Sequence, residues 1–191
     1  MPDFIHDAIR RSCLSVRKNL SSDYQSICSR KINNRIRHLP QYRAAKHLAL
    51  YHGIHGEVDV SELWRSAPLH GKYCYFPVIT KELTLSFLPA TPASSFLLND
   101  YGILEPDVDP AQAIAPEKLD LILAPLVAFD IAGTRLGMGK GFYDRALAKK
   151  RPGLYLGVAY AFQHQPFIAP RPWDVPLDAT VTETALYWSH P

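Results

Sequence analysis

The sequence predicts an α/β fold in which a mostly parallel, mixed sheet is flanked by helices. Short runs of Val, Ile, Leu, Phe and Tyr, typical of strands, alternate with segments of helical pattern. Two of the runs, 72–79 and 83–88, lie so close together that they predict an antiparallel hairpin, which makes the sheet mixed. Because 191 residues with 47% apolar content suffice for one core, we expect a single domain over residues 1–191.

Helical patterns occur before the first predicted strand and between the first two strands. Two basic helices are expected over 3–20 and 23–38, with Ser22 or Asp23 as the N-cap of the second. The segment VDVSELWRS, at 58–66, predicts a shorter helix that connects the first two strands.

Apolar runs predict six strands, and one long segment between them predicts a loop. The loop is expected from 89 to 118, where repeated prolines and the length favour a binding loop over a linker. The run LDLILAPLVAF is almost unbroken in apolar residues, which is typical of a strand buried on both faces of a parallel sheet. The expected strands lie at 47–51, 72–79, 83–88, 119–129, 154–160 and 180–188.

Charge and cysteine content argue against several classes of protein. The net charge of +3 is modest, so we expect no nucleic-acid partner, and we expect the cations of the first quarter to lie on a solvated helical face. The three cysteines form no metal-binding pair, and His52 and His55 lack further ligands at zinc spacing. No apolar run is long enough to span a membrane. We therefore expect a cytoplasmic monomer with reduced thiols and small-molecule substrates.

The segment DIAGTRLGMGKGFYDR, at 130–145, places three glycines at every second position between a predicted strand and a predicted helix. The helix is expected within 142–153, because Asp144 lies in its first turn, cations lie near its end and a Pro-Gly pair stops it. A glycine-rich turn that leads from a strand into a helix offers free backbone N–H groups to an anion. The segment therefore predicts a phosphate site.

The cations of this segment strengthen the prediction of a phosphate ligand. Arg135, Lys140 and Arg145 supply the positive charge that phosphate binding uses. Gly139 is expected to lie closest to the phosphate, while the flanking glycines could serve turn geometry and helix packing. The spacing matches neither the Walker pattern nor the dinucleotide-binding pattern, so it leaves the kind of phosphate ligand open.

The run R-L-G-x-G-x-G-[FY]-Y-D after a strand that ends in Phe-Asp resembles the signature of the 5-formyltetrahydrofolate cyclo-ligase family. The segments GEVD, GK-x-x-x-F-P, YGILEP and DVPLDATVTE extend this resemblance over nearly the whole chain. It implies a fold similar to that of sugar-phosphate isomerases and CoA transferases. It also implies an enzyme that uses ATP and Mg²⁺ to convert 5-formyltetrahydrofolate to 5,10-methenyltetrahydrofolate, with phosphorylation of the formyl oxygen and release of ADP and phosphate.

The resemblance further implies roles for individual residues. Arg135, Lys140 and Tyr143 would take part in catalysis. A carboxylate at Glu57 would pair with the donor-rich edge of the pterin, and the ring of Tyr101 would stack on a flat ligand. The ATP phosphates would be bound by Arg10, Arg135, Leu136, Gly137, Met138, Gly139, Lys140, Gly141, Phe142 and Tyr143. The folate would be bound by Glu57, Tyr101, Met138, Phe142 and Tyr143.

The metal site and the N-terminal nucleotide contacts are expected at fewer positions. The resemblance implies Asp144 and Asp178 as Mg²⁺ ligands, and Asp174 is an alternative to the second. His6 stands where the family usually has a lysine, four residues before Arg10. Arg11 or Arg17 could supply the cation that this departure removes.

Other functions on the same fold stay open at this point. A phosphosugar- or CoA-related enzyme could use the same turn, and so could a paralogue that binds folate or nucleotide without turnover. Because the chain keeps Arg135, Lys140 and Asp144, the sequence favours an enzyme.

Overall fold

The computed structural model describes residues 4–189, so the predicted start of the first helix at residue 3 lies outside the described residues; both N-terminal helices are otherwise present. The second of these is capped by Ser21, whose hydroxyl accepts the Tyr24 N–H at 3.2 Å, so the predicted caps Ser22 and Asp23 were wrong by one or two residues. Ser21 is the last residue with extended backbone, and its oxygen therefore reaches the free N–H groups of the first turn. The α-helices are α1 (Phe4–Lys18), α2 (Ser22–His38), α3 (Pro40–Ala44), α4 (Ser61–Ser66) and α5 (Phe142–Leu147).

Seven strands form one sheet in the order β11-β10-β9-β6-β1-β2-β3. Neighbouring strands from β10 to β2 are parallel, whereas β11 and β3 are antiparallel edge strands. The predicted mixed, mostly parallel sheet is therefore confirmed. The strands are β1 (His47–Ala49), β2 (Tyr73–Ile79), β3 (Leu85–Pro89), β4 (Phe96–Leu98), β5 (Leu104–Pro106), β6 (Leu121–Pro125), β7 (Ala128–Phe129), β8 (Arg135–Leu136), β9 (Tyr155–Val158), β10 (Ala179–Val181) and β11 (Leu186–Trp188).

The central strands are buried on both faces, as their unbroken apolar runs predict. Leu121 and Leu123 of β6 pack in one core cluster with Ile32 of α2, and Ile122 and Ala124 pack in a second cluster on the other face. Helix α1 packs through a third cluster against the β7–β8 hairpin. This places the N-terminal helix beside the glycine turn, which directly follows β8.

The single strand predicted over 119–129 was wrong. It ends at Pro125, and β7 pairs antiparallel with β8 in a separate two-stranded sheet. The carbonyls at the break accept side-chain donors instead of strand partners. The Arg17 guanidinium bonds to the Leu126 oxygen at 3.1 Å, and the Gln163 amide bonds to the Leu126 and Val127 oxygens. The glycine turn therefore follows a hairpin rather than a long strand.

Two further segments contain hairpins that the sequence analysis did not predict. The single strand expected over 180–188 is the β10–β11 hairpin, whose turn is closed by N–H bonds to the Thr182 hydroxyl. The expected loop 89–118 contains the β4–β5 hairpin, whose turn is closed by N–H bonds from Tyr101 and Ile103 to Asn99 Oδ1. In both cases a short polar side chain satisfies the turn backbone.

The strand order switches at β1: the chain continues from β1 to β2 and β3 on one side, and it returns only later to place β6 on the other side. Crevices at the carboxyl ends of parallel strands, where the order switches in this way, are the common ligand sites of α/β sheets. Within residues 4–189, no helix is long and apolar enough to cross a membrane.

Candidate active site

A cavity of about 370 Å³ lies at the carboxyl ends of β1 and β6. It combines the loops that follow these strands with the β4–β5 hairpin and the glycine turn, so segments distant in sequence meet at one place. Its lining includes His6, Arg10 and residues within 51–57, 99–105, 125–127, 135–144 and 171–174.

The glycine turn exposes its backbone to this cavity. Gly139 and Gly141 have φ of +89° and +64°, a region that glycine adopts readily and other residues avoid. Gly137 lies outside that region, so the backbone conformation does not require glycine at this position. Turn geometry therefore does not explain Gly137. A Cβ atom at Gly137 or Gly139 would meet no protein atom within 4 Å. Both positions therefore leave room for a ligand against the backbone.

The backbone N–H groups of this turn are available to a ligand. Within residues 4–189, no hydrogen bond uses the N–H groups of residues 137 to 141. Helix α5 has only six residues, so its dipole adds little, and the N–H groups with the nearby cations are the main attraction for an anion.

Arg135 is fixed beside the turn by the side chain of Asp144. Its Nη2 lies 2.8 Å from Asp144 Oδ1, its Nη1 donates to the Val175 carbonyl, and the Tyr155 ring centroid lies 5.1 Å away. The guanidinium is only 7% exposed. Burial lowers the pKa of Arg135, but the Tyr155 hydroxyl and Asp144 outweigh it and keep that pKa above its ordinary value. Arg135 is thus a preorganised cation.

Asp144 has a structural partner that the sequence analysis did not predict. Its Oδ1 accepts from Arg135 and also from the Val175 N–H at 3.0 Å, which ties the loop after residue 171 to the glycine turn. A role as Mg²⁺ ligand stays a prediction, and it now has to coexist with this ion pair.

The N-terminal helix reaches the turn through Arg10. Its Nε donates to the Gly137 carbonyl at 3.0 Å, and its Nη1 lies 2.7 Å from Asp7 Oδ1. Arg10 therefore links α1 to the turn, and both it and His6 line the cavity. The Lys140 Nζ lies over the ring of Tyr101, 6.0 Å from its centroid, on the opposite wall.

Glu57 and Arg17 form a buried pair beside the cavity. The carboxylate of Glu57 is 8% exposed, lies 3.7 Å from Arg17 Nη2 and accepts the Ile54 N–H at 3.1 Å. Burial raises the pKa of Glu57 to about 7, although Arg17 and the Ile54 N–H both favour the charged form. Glu57 therefore changes charge near neutral pH.

The structure contradicts both expectations for Arg17. Its side chain is 2% exposed rather than solvated, and it does not line the cavity where it could replace the family lysine. It donates instead to the carbonyls of His55 and Leu126, at 3.1 Å each, and so fixes the loops after β1 and β6 relative to each other. Arg11 is exposed and also does not line the cavity.

Aromatic side chains form the wall between the glycine turn and the β4–β5 hairpin. Tyr101 lies edge-on to Phe142, with ring centroids 5.8 Å apart. Tyr143 stacks on Tyr155 at 6.2 Å, and burial raises the pKa of Tyr143 above its ordinary value, so it stays neutral. Met138 is half exposed at the rim, and Leu136 is buried beneath the turn.

Asp178 is not brought to the cavity. Its Oδ1 lies 2.6 Å from Arg151 Nη2 and its Oδ2 accepts the Tyr155 N–H at 2.7 Å, so both oxygens are engaged. The alternative, Asp174, lines the cavity with Asp144. In the described residues, no group of three or more His, Cys, Asp or Glu forms a metal site.

The chain matches the family described as the 5-formyltetrahydrofolate cyclo-ligase family over residues 5–183. The chain belongs to this family. A relative named 5-formyltetrahydrofolate cyclo-ligase from Haemophilus influenzae is 36% identical, over 88% of this chain and 92% of the relative. A relative of the same name from Escherichia coli K12 is 33% identical, over 90% of this chain and 96% of the relative. An NMR structure of Aquifex aeolicus 5,10-methenyltetrahydrofolate synthetase covers 98% of this chain and 94% of that protein, with TM-score 0.85 and 35% identity.

Family membership confirms the predicted resemblance and α/β fold, and with them the class of enzyme that the family name denotes. A second solved relative, a 5,10-methenyltetrahydrofolate synthetase from Mycoplasma pneumoniae, has TM-score 0.74 and 28% identity over 93% of this chain and 98% of that protein.

Three of the cavity-lining residues that sequence reasoning missed are His52, Arg171 and Trp173. His52 was weighed only as a metal ligand, whereas its ring stacks on Phe76 with centroids 4.5 Å apart, and burial lowers its pKa. Arg171 and Trp173 precede Asp174 in the segment RPWD and also line the cavity. A tryptophan between proline and aspartate in a segment without strand or helix pattern was the signal that could have found them.

Proposed function

We propose that the protein catalyses the ATP-dependent cyclisation of 5-formyltetrahydrofolate to 5,10-methenyltetrahydrofolate, with release of ADP and phosphate. The observation that carries the proposal is one cavity lined both by the glycine turn with Arg135 and Lys140 and by the buried carboxylate of Glu57. The first set of groups suits phosphate, and the second suits the donor-rich edge of a pterin. The names of the relatives support the same reaction.

The reaction needs activation of the formyl oxygen, because an amide-like oxygen is a poor leaving group at neutral pH. In the proposed route, this oxygen attacks the γ-phosphorus of ATP, and the bond from that phosphorus to the bridging oxygen breaks, which releases ADP. The second folate nitrogen then attacks the formyl carbon and loses its proton to solvent, the carbon–oxygen bond breaks, and phosphate leaves as the ring closes. Both steps require stabilisation of negative charge on phosphoryl oxygens.

The residues of the turn fit that requirement. Arg135 is held by Asp144 and Val175 before any ligand binds, so its charge needs no reorganisation. Lys140 and the unused N–H groups of the turn would bind phosphate oxygens. Arg10 would keep α1 on the turn and exclude water from that side.

The donor set also fits Mg²⁺ that arrives with the nucleotide. Mg²⁺ takes few carboxylates and completes its coordination with waters and phosphate oxygens. Asp144 and Asp174 both line the cavity and would hold it, whereas Asp178 would have to give up two bonds. When bound, the ion neutralises charge on the phosphates.

The folate side of the cavity would be formed by Glu57 with apolar and aromatic neighbours. Pro77, Ile79 and Leu85 supply apolar lining, and Tyr101 of the β4–β5 hairpin lines the same cavity. An apolar lining with few placed polar groups is typical of small-molecule sites.

We further propose that the protein is a cytoplasmic monomer and that its partners are ATP and the folate.

The test is to mix the purified protein with 5-formyltetrahydrofolate, Mg²⁺ and ATP and to follow the absorbance of the methenyl product. We expect a rise that disappears when ATP is omitted and when Mg²⁺ is chelated. Absence of turnover, with calorimetric binding of both ligands, would indicate a non-catalytic binding paralogue. Absence of folate binding would point to a phosphosugar- or CoA-related enzyme.

A further inference from the structure

A second cavity, of about 530 Å³, lies on the other side of the glycine turn. It shares the turn, Asp144, Trp173 and Asp174 with the first cavity, but its lining contains no residue of the β1 loop that carries Glu57 and none of the β4–β5 hairpin. The two spaces therefore adjoin at the turn. The first contains the groups suited to a pterin, whereas Arg145, Pro172 and Val175 line only the second; Lys140 lines both.

Hydrogen bonds tie the 171–175 segment of this second cavity to itself and to α5. The Asp174 N–H bonds to the Arg171 carbonyl at 3.0 Å, and Asp174 Oδ2 accepts the Arg171 N–H at 2.9 Å, which closes a tight turn. The following residue, Val175, bonds through its N–H to Asp144 and through its carbonyl to Arg135. The groups proposed for phosphoryl transfer thus also fix the position of Trp173.

Trp173 is the large aromatic residue of this segment. It is 63% exposed and has the Arg171 guanidinium carbon 5.7 Å from its ring centroid. A single exposed aromatic ring is ordinary on a protein surface. This one, however, is held by a closed turn at the edge of a phosphate-suited loop and lines both cavities. A flat and accessible indole is suited to stacking on a planar base.

We propose that Trp173 binds the base of the nucleotide by stacking, so that the nucleotide occupies the second cavity and its phosphates reach the folate across the glycine turn. This inference rests on the proposed use of ATP and adds the position of the base. Trp173 would thereby set affinity for nucleotide without contact with the transferring phosphoryl group.

The test compares Trp173→Ala and Trp173→Phe with Trp188→Ala, a control in β11 that is 39% exposed and lines neither cavity. Trp173→Ala should raise the KM for ATP by about 10-fold or more, the scale of a lost base–aromatic stack. The KM for folate should stay within about 2-fold, and Trp173→Phe should recover most of the loss because it keeps a stacking ring.

A second measurement isolates the base from the phosphates. Trp173→Ala should weaken inhibition by ADP about 10-fold, while inhibition by inorganic tripolyphosphate, which has no base, should be unchanged. Equal ADP inhibition in wild type and Trp173→Ala would overturn the proposal. A selective rise in the KM for folate would also overturn it, since the indole would then bind the pterin.

The failure of this inference can be told apart from failure of the proposed function. If the wild type does not turn over, quenching of tryptophan fluorescence by ADP still reports base stacking. The quench should be lost in Trp173→Phe and kept in Trp188→Ala. A quench that survives in Trp173→Phe would refute stacking of the base on Trp173, whether or not the enzyme is active.

Discussion

Replacing Gly137 by alanine separates ligand contact from backbone geometry more cleanly than any other change in the turn. Gly137 lies outside the left-handed region, and an added Cβ would meet no protein atom within 4 Å. The fold itself therefore tolerates alanine, and the unfolded chain loses entropy, so stability should stay equal or rise by about 0.4–1 kcal/mol. A phosphate packed against the backbone would meet the new methyl group.

The expected loss of function follows from that clash. We expect kcat/KM for ATP to fall by at least about 100-fold, which corresponds to about 2.7 kcal/mol. Gly139→Ala should show a similar loss of activity, but its φ of +89° should also cost roughly 1–2 kcal/mol of stability.

The matched control for that strain is Gly71→Ala. Gly71 also has positive φ, +63°, no protein atom within 4 Å of an added Cβ and no place in either cavity. It should lose stability as Gly139→Ala does, with unchanged turnover. Thermal melts without ligand and initial rates of methenyl formation measure both quantities.

Wild-type kinetics in Gly137→Ala would refute the predicted contact between phosphate and the backbone of Gly137. The added methyl group would then meet no ligand. Equal activity losses in Gly71→Ala and Gly139→Ala would show that strain alone explains the effect of the middle glycine.

Three further predictions concern charged residues of the cavity. Arg135→Ala should lower kcat by roughly 10²–10³, and Arg135→Lys should restore only part of it, as steady-state rates will show. Asp144→Asn should raise the Mg²⁺ concentration needed for half-maximal rate. Because Arg135 is buried against Asp144, the same change should lower the free energy of unfolding, measured by urea titration, by about 2 kcal/mol. An unchanged dependence of the rate on Mg²⁺ would leave Asp144 only its ion pair with Arg135. In the folded protein the pKa of Glu57 is raised from 4.5 to about 7. The contribution of Glu57 to the free energy of unfolding is therefore complete below pH 4.5 and is lost as the pH rises to 7. Urea titrations from pH 4 to 8 should show this fall in stability, and the fall should be smaller in Glu57→Gln. Equal pH slopes in the two proteins would contradict this assignment.

Local signals in the sequence were sufficient for much of the fold. Apolar runs placed the strands β1, β2, β3 and β9, and the short gap after β2 indicated the antiparallel edge. The glycine spacing and its cations located the loop at 135–144, which lines both cavities. These features depend on neighbours within a few residues, where composition and periodicity carry the information.

Tertiary contacts decided what the local pattern could not. The run 119–129 breaks after Pro125 because Arg17 and Gln163, from distant segments, take up the carbonyls at the break. Asp144 was predicted as a metal ligand from its motif, but its ion pair with Arg135 depends on how the turn folds back. Periodicity cannot show such pairings, since they join groups whose separation along the chain says nothing of their separation in space.

The sequence by itself determined the family, the α/β class and the phosphate-suited turn, because a distinctive motif and regular apolar patterns are written in neighbouring residues. Only the tertiary structure decided that Arg17 is buried rather than solvated, that Asp174 and not Asp178 lines the cavity, and that Trp173 stands at the edge of the turn. The physical reason is that burial and charge pairing depend on the surroundings of a side chain in three dimensions. Those surroundings arise when the sheet order brings separate loops to the carboxyl ends of β1 and β6.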